Sequence, residues 1–153
     1  MHNIGNKQCG IGLLELMLSL AIIAAVLLLA TRYYLQAREA SNVTEATQVI
    51  STLVNAGFKW LEGNDDFSKL TDVNTLVDDH LLPESWRDKK DSWGGTLSIS
   101  GYGPDNQQIE ISLGGPSESA CKNINDIMTR QGMQLSNNCA GGGYVGIYPE
   151  TNQ

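Results

Sequence analysis

Glu15 is the residue whose chemistry most needs explaining. It stands fifth in IGLLELMLSLAIIAAVLLLA, residues 11–30, and is the single charge in that run. An ionised group in hydrocarbon costs about 2.5–3.5 kcal/mol even on a lenient insertion scale. Such a carboxylate either snorkels to the nearer interface or finds a cation. Three cysteines come next. Cys121 and Cys139 lie in the polar half and make an even pair, which in an exported domain suggests one disulfide; two free thiols are the alternative. Cys9 precedes the apolar run, whereas a lipidated cysteine follows its apolar stretch, so the order is wrong for a lipid anchor. No CxxC or Cys/His cluster has zinc spacing, and no metal or cofactor is expected.

Weaker candidates read as ordinary structure. Asp78, Asp79 and His80 are adjacent on a predicted helix, point in different directions and read as a solvated face rather than ligands. Gly141-Gly142-Gly143 lacks the Lys-Ser/Thr of a phosphate loop and reads as a flexible turn. Asn42-Val43-Thr44 spells a glycosylation sequon but falls mid-helix. Trp60, Trp86 and Trp93 read as core or subunit-contact residues. No spacing of Ser, His and carboxylates proposes a nucleophile with its base, so the chain is not expected to be an enzyme.

The elements that must position these residues follow from the distribution of apolar groups. The 153 residues leave room for one modest domain plus one long element. Twenty apolar residues at about 1.5 Å each span roughly 30 Å, the thickness of a bilayer core. Nothing after the run looks like a signal-peptide cleavage site, so the segment is retained on this reading. Val43, Ala46, Ile50, Leu53, Gly57 and Trp60 then recur at helical spacing. No proline precedes Pro83, and no glycine falls between Gly12 and Gly57. One helix from about Ile11 to Leu61 results, on the order of 75 Å long. Its first half is apolar all round, its second amphipathic, and Glu62-Gly63-Asn64-Asp65 supplies C-cap chemistry.

Downstream, a short helix is expected near Val73–Leu82, stopped by Pro83. The segments 95–101 and 107–113 alternate with period two around Gly-Pro-Asp-Asn and predict a hairpin. Ser117 can cap a helix of about Glu118–Gln131 with Ala120, Ile124, Ile127 and Met128 as its buried stripe. Tyr144–Tyr148 reads as a last strand. The amphipathic face must cover this sheet, so the fold class is α+β: a long N-terminal helical spine packed on a small antiparallel sheet. The organisation expected is residues 1–10, then an apolar half-helix over 11–30, then a globular domain over 31–153. A net charge of −7, with no basic run longer than Lys89-Lys90, argues against direct nucleic-acid binding.

The order Lys7, Gly10, Glu15 in KQCG followed by IGLLELMLSLAIIAAVLLL resembles the leader and N-terminal helix of type IV pilins and their relatives. That resemblance implies a membrane-embedded prepilin peptidase that cuts after Gly10 and methylates the amine of Ile11. It implies that Glu15 pairs with the N-terminal amine of a neighbouring subunit. A buried carboxylate wants a cation, a freshly exposed amine supplies one, and one straight helix cannot easily pair the two by itself. The stretches TRYYLQAREASNVTEATQVIS, LLPESWRDKKDSWGGTLSIS and IEISLGGPSESACKNI are similar to the type IVb branch. That branch includes the bundle-forming pilin, the toxin-coregulated pilin and the conjugative thin-pilus pilins. Trp93-Gly94-Gly95 and Cys121 match its aromatic-Gly-Gly and helix cysteine, and Cys121 with Cys139 would close its C-terminal disulfide-bounded region.

The chain departs from common patterns in having Ile11 and Gly12 at the start of the mature sequence, and in lacking the helix proline of the type IVa branch. The resemblance implies a subunit held in the bacterial inner membrane before assembly and in an extracellular pilus afterwards. Its partners would be related pilin subunits, the prepilin peptidase and the inner-membrane assembly machinery. Adhesion, aggregation, conjugation and DNA uptake are the tasks of such fibres. A pseudopilin of a type II secretion system shares the same leader and helix and is the alternative.

Overall fold

The computed structural model describes residues 12–149. The expectations for residues 1–10, for the bond between Gly10 and Ile11, and for Ile11 itself lie outside them. The elements are α1 (Leu13–Leu61), α2 (Val73–Asp78), β1 (Leu97–Tyr102), β2 (Gln108–Leu113), α3 (Glu118–Thr129), β3 (Gln134–Leu135) and β4 (Tyr144–Tyr148), with a 3-10 turn at Glu84–Trp86. The chain divides into two units, one ending at Arg38 and the other starting at Glu39.

In the first unit every described side chain is exposed. Its large apolar groups from Leu13 to Leu35 are between 51% and 83% accessible. Water does not tolerate so long an apolar surface, and a helix of this length and composition can cross a membrane.

In the second unit the later half of α1 buries Val43, Ala46, Thr47, Val49, Ile50, Leu53, Ala56, Gly57 and Trp60. All six positions of the expected stripe are among them. This face covers an antiparallel sheet of order β1-β2-β4-β3, so the α+β architecture with its helix on a small sheet is observed. The hairpin pairs Ile99 with Ile111, and β2 pairs onward with β4 through Ile111 and Gly146. Alternation along β2 turns Ile109, Ile111 and Leu113 inward. The Cδ1 atoms of Ile109 and Ile99 come within 3.4 and 3.5 Å of where a Cβ at Gly57 would sit. Phe67, Leu70, Leu76, Ile124, Met128 and Tyr144 complete a single core.

Several local expectations need correction. The helix expected over Val73–Leu82 stops at Asp78. His80 takes left-handed backbone (φ 59°), its amide donates to Val77 O and that of Leu81 to Leu76 O. This is a Schellman cap with His at the position usually held by Gly, which is why the stop went unseen. The end of α1 at Leu61 is as expected, closed within Glu62-Gly63-Asn64-Asp65 by Asn64, whose side chain donates to Trp60 O at 2.9 Å. In α3 the stripe includes Cys121 and not Ile127, which is 38% exposed at its edge. The helix ends two residues early at Thr129, where left-handed Gly132 and the bond from Met133 N to Met128 O cap it. Strands start at Leu97 and Gln108, and β3, at two residues too short for a period-two signal, pairs Gln134 with Ile147. The Gly141–Gly143 turn is anchored rather than loose: Gly143 N donates to Pro116 O at 2.8 Å.

Candidate functional site

Two separate places carry the chemistry, and each is described within its own unit. The first is the start of α1. Gly12 O accepts from Glu15 N at 2.9 Å and from Leu16 N at 3.3 Å, so the first turn closes directly on Gly12. Glu15 is the acidic residue of that turn, where the unpaired amides of the helix end favour negative charge. Its backbone carbonyl accepts from Ser19 Oγ at 2.8 Å. The Glu15 carboxylate is exposed and has no hydrogen-bond or ionic partner among the described residues. An acid surrounded by Leu13, Leu14, Leu16, Met17 and Leu18 cannot be solvated once those side chains enter an apolar medium. There the carboxylate either snorkels to the nearer interface or takes a cation from beyond this helix.

The second place lies around Trp93. Asp91 is buried, and its carboxylate collects three backbone donors. Trp93 N and Gly95 N reach Oδ1 at 3.0 and 2.7 Å, and Gly115 N reaches Oδ2 at 2.7 Å. One ion therefore pins the loop before β1 to the turn after β2. The approach leaves no room for side chains: a Cβ on Gly95 would lie 2.7 Å from Gly115 Cα, and one on Gly115 2.7 Å from the Trp93 Cβ. Gly95 thus has a steric cause, whereas Gly94 has open space around it and takes left-handed backbone (φ 82°). Glu39 adds the link to α1. Its carboxylate accepts from Trp93 Nε1 at 3.1 Å and from Ser117 Oγ at 2.7 Å, while Ser117 Oγ also caps α3 by accepting from Ala120 N at 3.2 Å.

Cys121 and Cys139 are bonded, with S–S 2.02 Å and Cα atoms 5.7 Å apart. Both are buried, and the bond ties the first turn of α3 to the segment before β4. Of the weaker candidates, Asp78 pairs with Arg87 at 2.8 Å and Asp79 accepts from Trp60 Nε1 at 2.6 Å. These two carboxylates therefore act as fasteners. Among the described residues, no group of three or more His, Cys, Asp and Glu side chains is placed to hold a metal ion.

Asp91 and Glu39 were missed from sequence, although signals existed. An Asp two residues before Trp-Gly-Gly is an Asx-turn arrangement. Glu39 lies one turn ahead of Val43 on the very stripe the helical period picks out.

Residues 5–31 match the family model for the prokaryotic N-terminal methylation motif. No curated protein matches the chain. The matched segment contains Gly10, Ile11 and Glu15 and runs into the exposed half of α1. The N-terminus is therefore of the prepilin type, as in type IV pilin-like and pseudopilin subunits.

Proposed function

We propose that this chain is a structural subunit, major or minor, of a type IVb-like pilus. The prepilin peptidase cuts after Gly10 and methylates Ile11. The subunit waits in the inner membrane through residues 11–30, and the assembly machinery then packs that helix into the core of an extracellular filament. Glu15 pairs there with the amine of Ile11 on a neighbouring copy. The filament serves adhesion, aggregation, conjugation or DNA uptake. The reading rests on one observation: a methylation motif over residues 5–31 leads directly into the apolar first half of α1, exposed at every described residue up to Arg38, with one carboxylate in its first turn. The Trp93-Gly94-Gly95 approach and the Cys121–Cys139 bond support the type IVb branch over the pseudopilin, which shares the leader.

The test is mass spectrometry of the native N-terminus. A chain starting at N-methylated Ile11 supports the proposal, and a native chain still carrying residues 1–10 overturns it. Gly10→Ser is expected to leave a precursor heavier by those ten residues, and Glu15→Val to give a cut, membrane-resident subunit that assembles poorly. Surface fibres containing the protein separate a pilus from a pseudopilus, whose loss would impair secretion without removing fibres.

A further inference from the structure

Where the apolar surface of α1 ends, the helix carries Arg32, Tyr33, Tyr34 and Arg38 within two turns. All four are exposed, Tyr33 and Tyr34 by 70% and 66%, and among the described residues no side-chain hydrogen bond or ion pair engages any of them. At about 100° per residue, Arg32, Tyr33, Tyr34 and Arg38 fall near 0°, 100°, 200° and 240° around the axis. They surround the helix instead of marking one side. Val43, Ala46, Ile50 and Leu53, one turn further on, do lie on one side, and that side is buried in protein. A ring is what a helix needs when its surroundings are the same in every direction.

The spacing fits a bilayer. From Leu13 to Arg32 the helix rises about 29 Å, close to the roughly 30 Å of a hydrocarbon core. Tyr rings favour the membrane–water boundary because their bodies are apolar and their hydroxyls want water. Arg guanidinium forks bind phosphate oxygens in pairs. A second copy of the chain is a poorer occupant. Glu15 lies about 25 Å along the helix from Arg32, and the next acid, Glu39 beside Arg38, already accepts from Trp93 Nε1 and Ser117 Oγ, so a neighbour in register offers the two arginines no free carboxylate within the ring.

We propose that Arg32, Tyr33, Tyr34 and Arg38 form a collar that seats in the headgroup layer of the leaflet opposite Glu15, with the two arginines binding the phosphates of anionic lipids. The collar sets the depth of the helix and so holds Glu15 just inside the other interface. It rests on the reading of residues 11–30 as a membrane span. The same contact must be released whenever a subunit leaves the bilayer.

The experiment places a tryptophan at each depth in the full chain, Ile22→Trp at the middle of the span and Tyr33→Trp in the collar. Each variant is reconstituted in phosphatidylethanolamine–phosphatidylglycerol vesicles with bromines near either the headgroup end or the tail end of the acyl chains. Emission is read as the difference from the unsubstituted protein. The Tyr33→Trp signal is expected to be quenched most by the shallow bromines, and the Ile22→Trp signal most by the deep ones. Replacing both arginines by alanine in the Tyr33→Trp protein is expected to shift quenching and abolish its dependence on phosphatidylglycerol content. Deep quenching at Ile22→Trp with water-like, unquenched emission at Tyr33→Trp overturns the collar alone. No quenching at either position overturns the span as well. Shallow quenching that disappears as the protein is diluted in lipid assigns the ring to a second copy and overturns the lipid assignment, and quenching indifferent to the arginines overturns their role.

Discussion

Asp91→Ala removes the acceptor of three backbone amides at once, those of Trp93, Gly95 and Gly115. Among the described residues these three amides make no other hydrogen bond. A hydrogen bond to a charged group contributes about 1.5–3 kcal/mol, and a donor left unpaired away from water costs about 1–3 kcal/mol. Trp93, Gly95 and Gly115 are half-buried, so water recovers part of the loss. The expected destabilisation is about 3–5 kcal/mol rather than the full sum. That is a large share of the roughly 5–15 kcal/mol by which domains are usually stable. A loss of about 4 kcal/mol lowers the folded-to-unfolded ratio roughly a thousandfold. The assay is urea unfolding of the oxidised protein in detergent, followed by tryptophan emission, with amide exchange read at Gly115. Asp126→Ala, on the exposed side of α3, is the control and is expected to change stability by less than about 0.5 kcal/mol. A loss below about 1 kcal/mol for Asp91→Ala, with an unchanged denaturant slope and Gly115 still protected, would refute the reasoning.

Removing the Cys121–Cys139 bond by the double serine variant frees a loop of 18 positions and is expected to cost about 3 kcal/mol in the same assay. Reductant acting on the unsubstituted protein should produce the same shift; a stability unaffected by either treatment counts against the bond. The Glu118 carboxyl is held below its ordinary pKa, first by the hydrogen bond from Lys122 Nζ at 2.6 Å and then by that ammonium's charge. A carboxyl depressed in the folded state stabilises above its ordinary pKa, and the contribution fades as pH falls through the depressed value. An NMR titration should find Glu118 low in the unsubstituted protein and returned toward the usual range by Lys122→Ala; identical midpoints would remove the pairing.

The spine was legible because its signals are one-dimensional. An unbroken apolar run, one misplaced carboxylate and the 3.6-residue recurrence from Val43 to Trp60 need no knowledge of what lies across the fold. The hairpin at residues 97–113 and the Ser117 cap were legible for the same reason, since each depends on neighbours a few residues away. Failures came where two local codes compete or the usual residue is absent. His80 took a place that Gly normally marks, and β3 was too short to alternate.

The amino-acid order alone therefore determined that this protein has a membrane-length apolar helix, a carboxylate near its start and an amphipathic continuation seeking a sheet. Only the tertiary structure decided what holds the globular part together. Glu39 meets Trp93 and Ser117 from positions 54 and 78 residues away, and Asp91 reaches Gly115 across 24. No periodicity encodes such pairs, because a buried carboxylate is tolerated only where donors from distant segments converge on it, and convergence exists only once the chain has folded.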